Sequence, residues 1–172
     1  MSTGNHEVSS TEGQGQVQYF RGDIMTDSAE AITIPVNIGG VMGAGLAEQM
    51  RVQWPNRARQ YETLCYNRVL KIGEPIYLPA EPGDGEPGVL LFPTKTHWSK
   101  TSRLEYIEQG LDYLVANHRK EFGFGSLAIP ALGCGYGKLD WRDVAPLVKV
   151  AALRLEIPVH VYLPNKEKEM EW

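Results

Sequence analysis

Short apolar runs rich in β-branched residues alternate with helix-patterned stretches along most of this chain, and that alternation limits the fold more than any other feature. Gln16 to Phe20 reads as a strand entering the turn Arg21-Gly22-Asp23. Ala31 to Val36 reads as a buried strand, followed by a helix over Leu46 to Val52. Trp54-Pro55 breaks that helix, and Asn56 is placed to cap a second over Arg57 to Tyr66. Pro75 to Leu78 is a weak strand, Pro79 to Gly88 a loop rich in Pro, Gly and acid, and Val89 to Phe92 another apolar strand. Ser102 to Glu121 carries Leu104, Ile107, Leu111, Leu114 and Val115 at helical spacing, with Ser102 and Glu105 as a capping-box signature. A strand over Ser126 to Ile129, a helix over Val144 to Leu155 with Asp143 as its N-cap, and a closing strand over Pro158 to Leu163 complete the pattern. The alternation predicts an α/β fold with a mixed, mainly parallel sheet and helices on both faces. In such sheets ligands bind beyond the strand ends, where loops feed helix N-termini.

One domain is expected over residues 16–164, flanked by a polar, disordered tail (1–15) and a frayed C-terminus (165–172). The formal net charge of -4 opposes a broad basic surface for long nucleic acid but leaves room for a local basic mouth. Cys65 and Cys134 lie in no CxxC or zinc spacing, and the four histidines form no HxxxH or HExxH. No metal site and no cofactor are therefore indicated, and a reducing, cytoplasmic setting is expected. The N-terminus lacks the charged start and apolar run of a signal peptide, and no segment approaches about 18 consecutive apolar residues, so no membrane span is expected. The expected state is a monomer.

Two glycine-rich loops each sit at a strand-to-helix junction. The first is Asn37-Ile38-Gly39-Gly40-Val41-Met42-Gly43-Ala44-Gly45; the second is Ala131-Leu132-Gly133-Cys134-Gly135-Tyr136-Gly137. Glycines let the backbone approach a ligand closely, successive N–H groups form an anion nest, and the next helix adds the positive end of its dipole. Either loop alone can be no more than a tight turn. Together they suggest a clamp on a diphosphate. Neither is a Walker A, which needs Gly-Lys-Ser/Thr, nor a dinucleotide fingerprint, since Lys138 stands where a third small residue belongs.

Gly22-Asp23-Ile24 after the first strand, Val36-Asn37 leading into Gly43-Ala44-Gly45-Leu46-Ala47, and Pro130 through Gly137 together resemble the macrodomain family over roughly residues 16–164. The resemblance implies a three-layer α/β/α macrodomain with ADP-ribose in a cleft at the strand ends. It implies that Asp23 accepts from the adenine amino group with the Ile24 backbone beside it, and that Asn37 faces the distal ribose. Gly43, Ala44 and Gly45, with Gly133, Cys134, Gly135, Tyr136 and Gly137, would wrap the diphosphate and proximal ribose. Thr94 is counted among the ADP-ribose-binding residues, and Tyr162 and Pro164 would flank the adenine. Read from the residues alone, Asp23 is equally an Asx-turn residue, Asn37 a cap and Tyr162 a core residue.

The stretch Phe92-Pro93-Thr94-Lys95-Thr96-His97-Trp98, with Lys100 and Arg103 and no acid between Lys95 and Arg103, is basic and aromatic. With Ser102-Arg103-Leu104-Glu105 and Gly133-Cys134-Gly135 through Trp141, it resembles the DarG-type DNA ADP-ribosyl glycohydrolases, which remove ADP-ribose from thymidine in DNA. Lys95 matches their catalytic lysine. The resemblance implies ADP-ribosylated DNA as substrate and ADP-ribose as ligand and product, with His97, Trp98, Lys100 and Arg103 as DNA contacts. A lysine amine near C1″ can attack the ring-opened sugar as a neutral nucleophile, or stay charged and stabilise the departing base. Two departures stand out. Gly137 occupies the place of an aspartate that assists the lysine in glutamate-directed relatives, which favours DNA over protein as substrate. Ala44 stands where DarG-type sequences usually carry a lysine. A non-enzymatic ADP-ribose reader, and a hydrolase acting on protein or on O-acetyl-ADP-ribose, are the alternative readings.

Overall fold

The computed structural model describes residues 4–7 and 16–165; residues 1–3, 8–15 and 166–172, parts of the expected tail and frayed end, lie outside the described residues. Seven strands among the described residues form one sheet: β1 His6–Glu7, β2 Val17–Arg21, β3 Ala31–Asn37, β4 Ile76–Leu78, β5 Gly88–Lys95, β6 Leu127–Ile129 and β7 Val159–Tyr162. Their order is β1-β2-β7-β6-β3-β5-β4. The five inner strands pair in parallel, and only the edge strands β1 and β4 run antiparallel. The connecting α-helices are α1 Gly45–Gln53, α2 Pro55–Tyr66, α3 Leu104–Asn117 and α4 Trp141–Leu155.

Strand side chains alternate between faces, so the sheet feeds two cores. Leu90, Phe92, Leu127, Ile129, Val159 and Val161 pack with Ile107, Leu111 and Leu114 of α3 and Val144 and Val148 of α4. Ile32, Ile34, Val36, Val89 and Leu91 pack with Ala47 and Met50 of α1 and Ala58 and Tyr61 of α2. This is the three-layer α/β/α arrangement. Among the described residues no helix is long and apolar enough to cross a membrane.

Within the segment read as a tail, His6 and Glu7 pair with Arg21 and Phe20 and extend the sheet. All three expected helix caps differ from what is observed. Trp54, not Asn56, holds the N-cap position of α2, with Pro55 in its first turn. The acceptor for that turn comes from the acidic loop: Glu86 accepts from the backbone N–H of Asn56 at 3.0 Å and of Arg57 at 2.9 Å. Such a long-range cap leaves no local spacing to read. Ser102 and Glu105 form no capping box, because Ser102 donates its backbone N–H to Gly137 at 3.0 Å and α3 starts later, after Arg103. Asp140, not Asp143, caps α4 through its bond from Arg142 N–H at 2.9 Å. The helix thereby gains the Trp141 turn, whose indole packs on the core, at the cost of enclosing Pro146.

Glu86→Gln removes the charge from a buried carboxylate that serves two N–H donors and the Asn56 side chain. It is expected to cost about 1–2 kcal/mol of stability, read as a lower urea midpoint with an unchanged m-value.

Candidate functional site

Parallel pairing brings the C-terminal ends of β2, β3, β5, β6 and β7 to one edge, and both glycine loops open there. The first loop is organised by Asn37, which is buried at the end of β3. Its Oδ1 accepts from the N–H of Gly39 at 3.0 Å and of Val41 at 3.3 Å, and its Nδ2 donates to the Val41 carbonyl at 2.9 Å. Tyr61 of α2, fully buried, donates its hydroxyl to the Asn37 carbonyl at 2.5 Å and lies 3.1 Å from Oδ1. Burial, with Cys65 beside it, raises the Tyr61 pKa, so this phenol remains a donor. The Asn37 side chain thus shapes the loop from within. The loop ends at Ala44, whose methyl supplies no cap to α1. The N–H groups of that first turn therefore lack a side-chain acceptor from the cap position.

The second loop is tighter. Gly133 takes φ +74, and its carbonyl accepts from Leu139 N–H at 2.9 Å. A Cβ on Gly137 would lie 2.5 Å from the Gly133 carbonyl oxygen and 2.9 Å from Ser102 Cβ, and would also strike Ser102 Oγ. No side chain fits at this position, carboxylate or otherwise. Cys134 turns inward: its Sγ lies 3.5 Å from the Leu132 carbonyl, and burial, with Asp140 and Asp143, pushes the thiol up to about 12. It is no thiolate near neutrality. Gly135 and Tyr136 are exposed. The Tyr136 ring comes within 3.5 Å of where a Gly45 Cβ would stand, so the two loops approach one another across the cleft.

Lys95 lies at the same sheet edge, on β5, the strand beside β3. It is the last residue of β5, three beyond the expected strand end, and its Cα partner on β3 is Asn37. The pairing passes from Val36–Pro93 to Asn37–Lys95, so Thr94 is an extra, unmatched residue. Such a bulge re-aims the side chains that follow it. Thr94 is buried, Lys95 half-buried, and the Lys95 carbonyl accepts from Ile38 N–H at 3.2 Å, tying strand to loop. Burial lowers the Lys95 pKa, and the positive charge of Lys138 lowers it further. Lys138 follows Gly137 and is held at φ +65, a conformation few residues with side chains adopt. The residue that departs from the dinucleotide pattern therefore places charge near the lysine.

The far end of the cleft is built around β2 and β7. Asp23 is exposed; its Oδ1 accepts from Met25 N–H at 3.0 Å and caps the 3-10 turn Ile24–Thr26, leaving Oδ2 without a partner among the described residues. The Ile24 side chain is buried. Tyr162 is a core residue, 3% exposed, stacked on Phe20 at 5.6 Å, with its hydroxyl donating to Asp27 Oδ2 at 2.6 Å. Pro164 offers its carbonyl to Arg21 at 3.0 Å.

His97, Trp98, Lys100 and Arg103 all lie exposed in the segment after β5. Ser99 N–H donates to His97 Nδ1 at 3.2 Å, and Trp98 stands 59% exposed beside the imidazole. Arg103 is not free of acid: Glu105 lies 3.5 Å away, a weak surface pair. The structure thus gathers Asn37, Thr94, Lys95 and both loops at one mouth, sets the basic segment at its rim, and keeps the Tyr162 ring inside. Tyr61, Lys138 and Asn5 escaped sequence reasoning. Tyr61 reads as one more apolar-face residue of a helix. Lys138 was visible as an odd residue in a glycine loop. Asn5 lay in a segment of tail-like composition.

A family model described as Macro domain matches residues 34–148. The chain is 37% identical to a DNA ADP-ribosyl transferase-DNA ADP-ribosyl glycohydrolase fusion protein of Thermosipho africanus, over 95% of this chain and 45% of that protein. It is 35% identical to the DNA ADP-ribosyl glycohydrolase of Mycobacterium tuberculosis, over 87% of this chain and 42% of that protein. The chain spans less than half the length of these curated relatives. Among solved structures, the macrodomain of Mycobacterium tuberculosis DarG superposes with a TM-score of 0.81 at 35% identity, covering 87% of this chain and 98% of that one. Thermosipho africanus DarTG in complex with ADP-ribose superposes with a TM-score of 0.85 at 36% identity, covering 92% and 43%.

Proposed function

The chain belongs to the macro domain family, and on that premise we propose that it binds ADP-ribose and hydrolyses it from thymidine in ADP-ribosylated DNA, with Lys95 as the catalytic group. The observation that carries this reading is the position of Lys95: half-buried at a strand end, paired with Asn37 at the start of the first glycine loop and close enough to Lys138, just after the second, to feel its charge. The diphosphate sits against the main-chain N–H groups of Gly43–Gly45 and of Gly133–Gly137, where negative charge meets oriented donors and the start of α1. The distal ribose then points toward Lys95 and Thr94. Adenine occupies the β2–β7 end, where Asp23 Oδ2 accepts from its amino group. Tyr162 supports that end from beneath and Pro164 borders it. His97, Trp98, Lys100 and Arg103 meet the DNA strand at the rim.

The chemistry is hydrolysis of the bond from C1″ to the base. A neutral Lys95 amine attacks C1″ of the opened sugar, the C1″–base bond breaks as the thymidine base departs with a proton, and water then hydrolyses the lysine–sugar imine, releasing ADP-ribose and freeing the amine. An ammonium at the same place stabilises the departing base instead. Lys138 separates the two routes. Lys138→Ala removes the neighbouring charge, so the Lys95 pKa rises. On the nucleophile route the activity–pH profile shifts toward alkaline pH and the rate near pH 7 falls; on the electrostatic route activity persists to higher pH and the rate near pH 7 holds. A pH–rate profile of both proteins reads the difference. The absence of space at Gly137 agrees with a DNA rather than a protein substrate, because no assisting carboxylate can stand there. A panel of ADP-ribosylated single-stranded DNA, RNA and protein tests the whole reading. Release from thymidine-modified DNA alone is expected; binding of free ADP-ribose without release from any substrate would instead make the chain a reader.

A further inference from the structure

We propose that Asn5, immediately before the edge strand β1, is a positioning residue that fixes the adenine end of the site and thereby helps the protein select a 6-aminopurine; this rests on the ADP-ribose reading above. The carboxamide of Asn5 joins three segments distant in sequence. Its Oδ1 accepts from the backbone N–H of Asp23 at 2.8 Å. Its Nδ2 lies 3.1 Å from the Asp23 carbonyl, 3.2 Å from Thr26 Oγ1 and 2.7 Å from the Tyr162 hydroxyl. The N–H of Asp23 can only donate, so the amide oxygen must face it, which settles the orientation of the amide.

The chain of bonds continues inward. Tyr162 donates to Asp27, which also accepts from His160 Nδ1 at 3.0 Å and from Ala29 N–H at 2.7 Å. Burial works against the charge on Asp27, but these bonds prevail and hold its pKa below the ordinary carboxylate range. Asn5 thus links a firmly seated base of hydrogen bonds to the backbone on either side of Asp23. Gly22 makes the approach possible: its φ is +140, and a Cβ there would stand 3.1 Å from the Asn5 Cα and collide with the Asn5 carboxamide.

Asp23 has one carboxylate oxygen committed to its own turn and one left for a ligand. A free acceptor favours an amino donor over an oxo group, provided the acceptor is held in place. Asn5 fixes the backbone from which that acceptor projects. Without it, both the affinity for adenine and the discrimination against hypoxanthine decline.

The test is calorimetry on the 172-residue chain and its Asn5→Ala variant, with ADP-ribose and with inosine diphosphate ribose as probes. These differ at purine position 6, amino against oxo. Wild type is expected to prefer ADP-ribose. Asn5→Ala is expected to lose about tenfold in affinity for ADP-ribose and much less for the inosine compound, so the ratio narrows while the thermal midpoint shows an intact fold. An unchanged ratio, whether with unchanged affinities or with uniform weakening of both, would overturn the role given to Asn5. Failure of wild type to bind ADP-ribose would remove the functional reading, and this inference with it.

Discussion

Lys95→Ala is expected to slow release of ADP-ribose from thymidine-modified DNA by about a thousandfold, the scale seen when a group acting on the transition state is removed. Affinity for free ADP-ribose should change by no more than a few fold. The two effects separate because different parts of the site produce them. On the proposed reading the diphosphate is to be held by main-chain N–H groups of the two loops, which a side-chain truncation at the end of β5 leaves in place. The Lys95 main chain accepts from Ile38 N–H, and alanine retains that bond. Single-turnover kinetics alongside calorimetry measure both quantities. Lys95→Arg adds information, since guanidinium keeps the charge and cannot be deprotonated in proteins. Recovery with arginine would assign the lysine an electrostatic role; silence would assign it a nucleophilic one.

Gly137→Asp puts a carboxylate where the resemblance to glutamate-directed relatives implies one. It is expected to abolish binding rather than widen the substrate range. A Cβ at this position would stand 2.5 Å from a backbone carbonyl and 2.9 Å from Ser102 Cβ. Real side chains do not approach so closely. The collision with Ser102 can be relieved by mutating Ser102, but the collision with the Gly133 carbonyl cannot, because that carbonyl also accepts from Leu139 N–H. The second loop must open, at a cost of about 2–4 kcal/mol. The Ser102–Gly137 backbone bond, which ties the rim segment to this loop, is lost with it. Gly137→Ala should behave nearly as badly, since the methyl carbon alone makes the collision. Thermal unfolding and ADP-ribose calorimetry read both consequences. A stable, binding-competent Gly137→Asp protein would show that the loop tolerates what its geometry forbids.

The layered α/β fold was legible because its signals are local: β-branched runs for β3 and β5, helical spacing for α3, glycine at each strand-to-helix junction. The features that escaped are those that depend on distant partners. Glu86 caps α2 from about thirty residues downstream, which no spacing rule encodes. Ser102 and Glu105 match a capping box, yet the second glycine loop holds the Ser102 N–H and moves the start of α3. The bulge at Thr94 arises from the pairing of two strands, so neither strand sequence reveals it. Within the site, the ambiguous residues resolved in an instructive way. Asn37 bonds within its own loop, Tyr162 lies in the core, and Asp23 gives one oxygen to its turn and keeps the other without a partner among the described residues. Sequence reasoning treated turn-former and ligand as rival roles for Asp23, and a carboxylate has enough acceptors for both.

The most direct measurement is a crystal structure with ADP-ribose bound. The account predicts the pyrophosphate between Gly43–Gly45 and Gly133–Gly137, adenine beside Asp23, and C1″ within reach of the Lys95 amine. A nucleotide seated away from both glycine loops, or a distal ribose turned from Lys95 toward solvent, would contradict it.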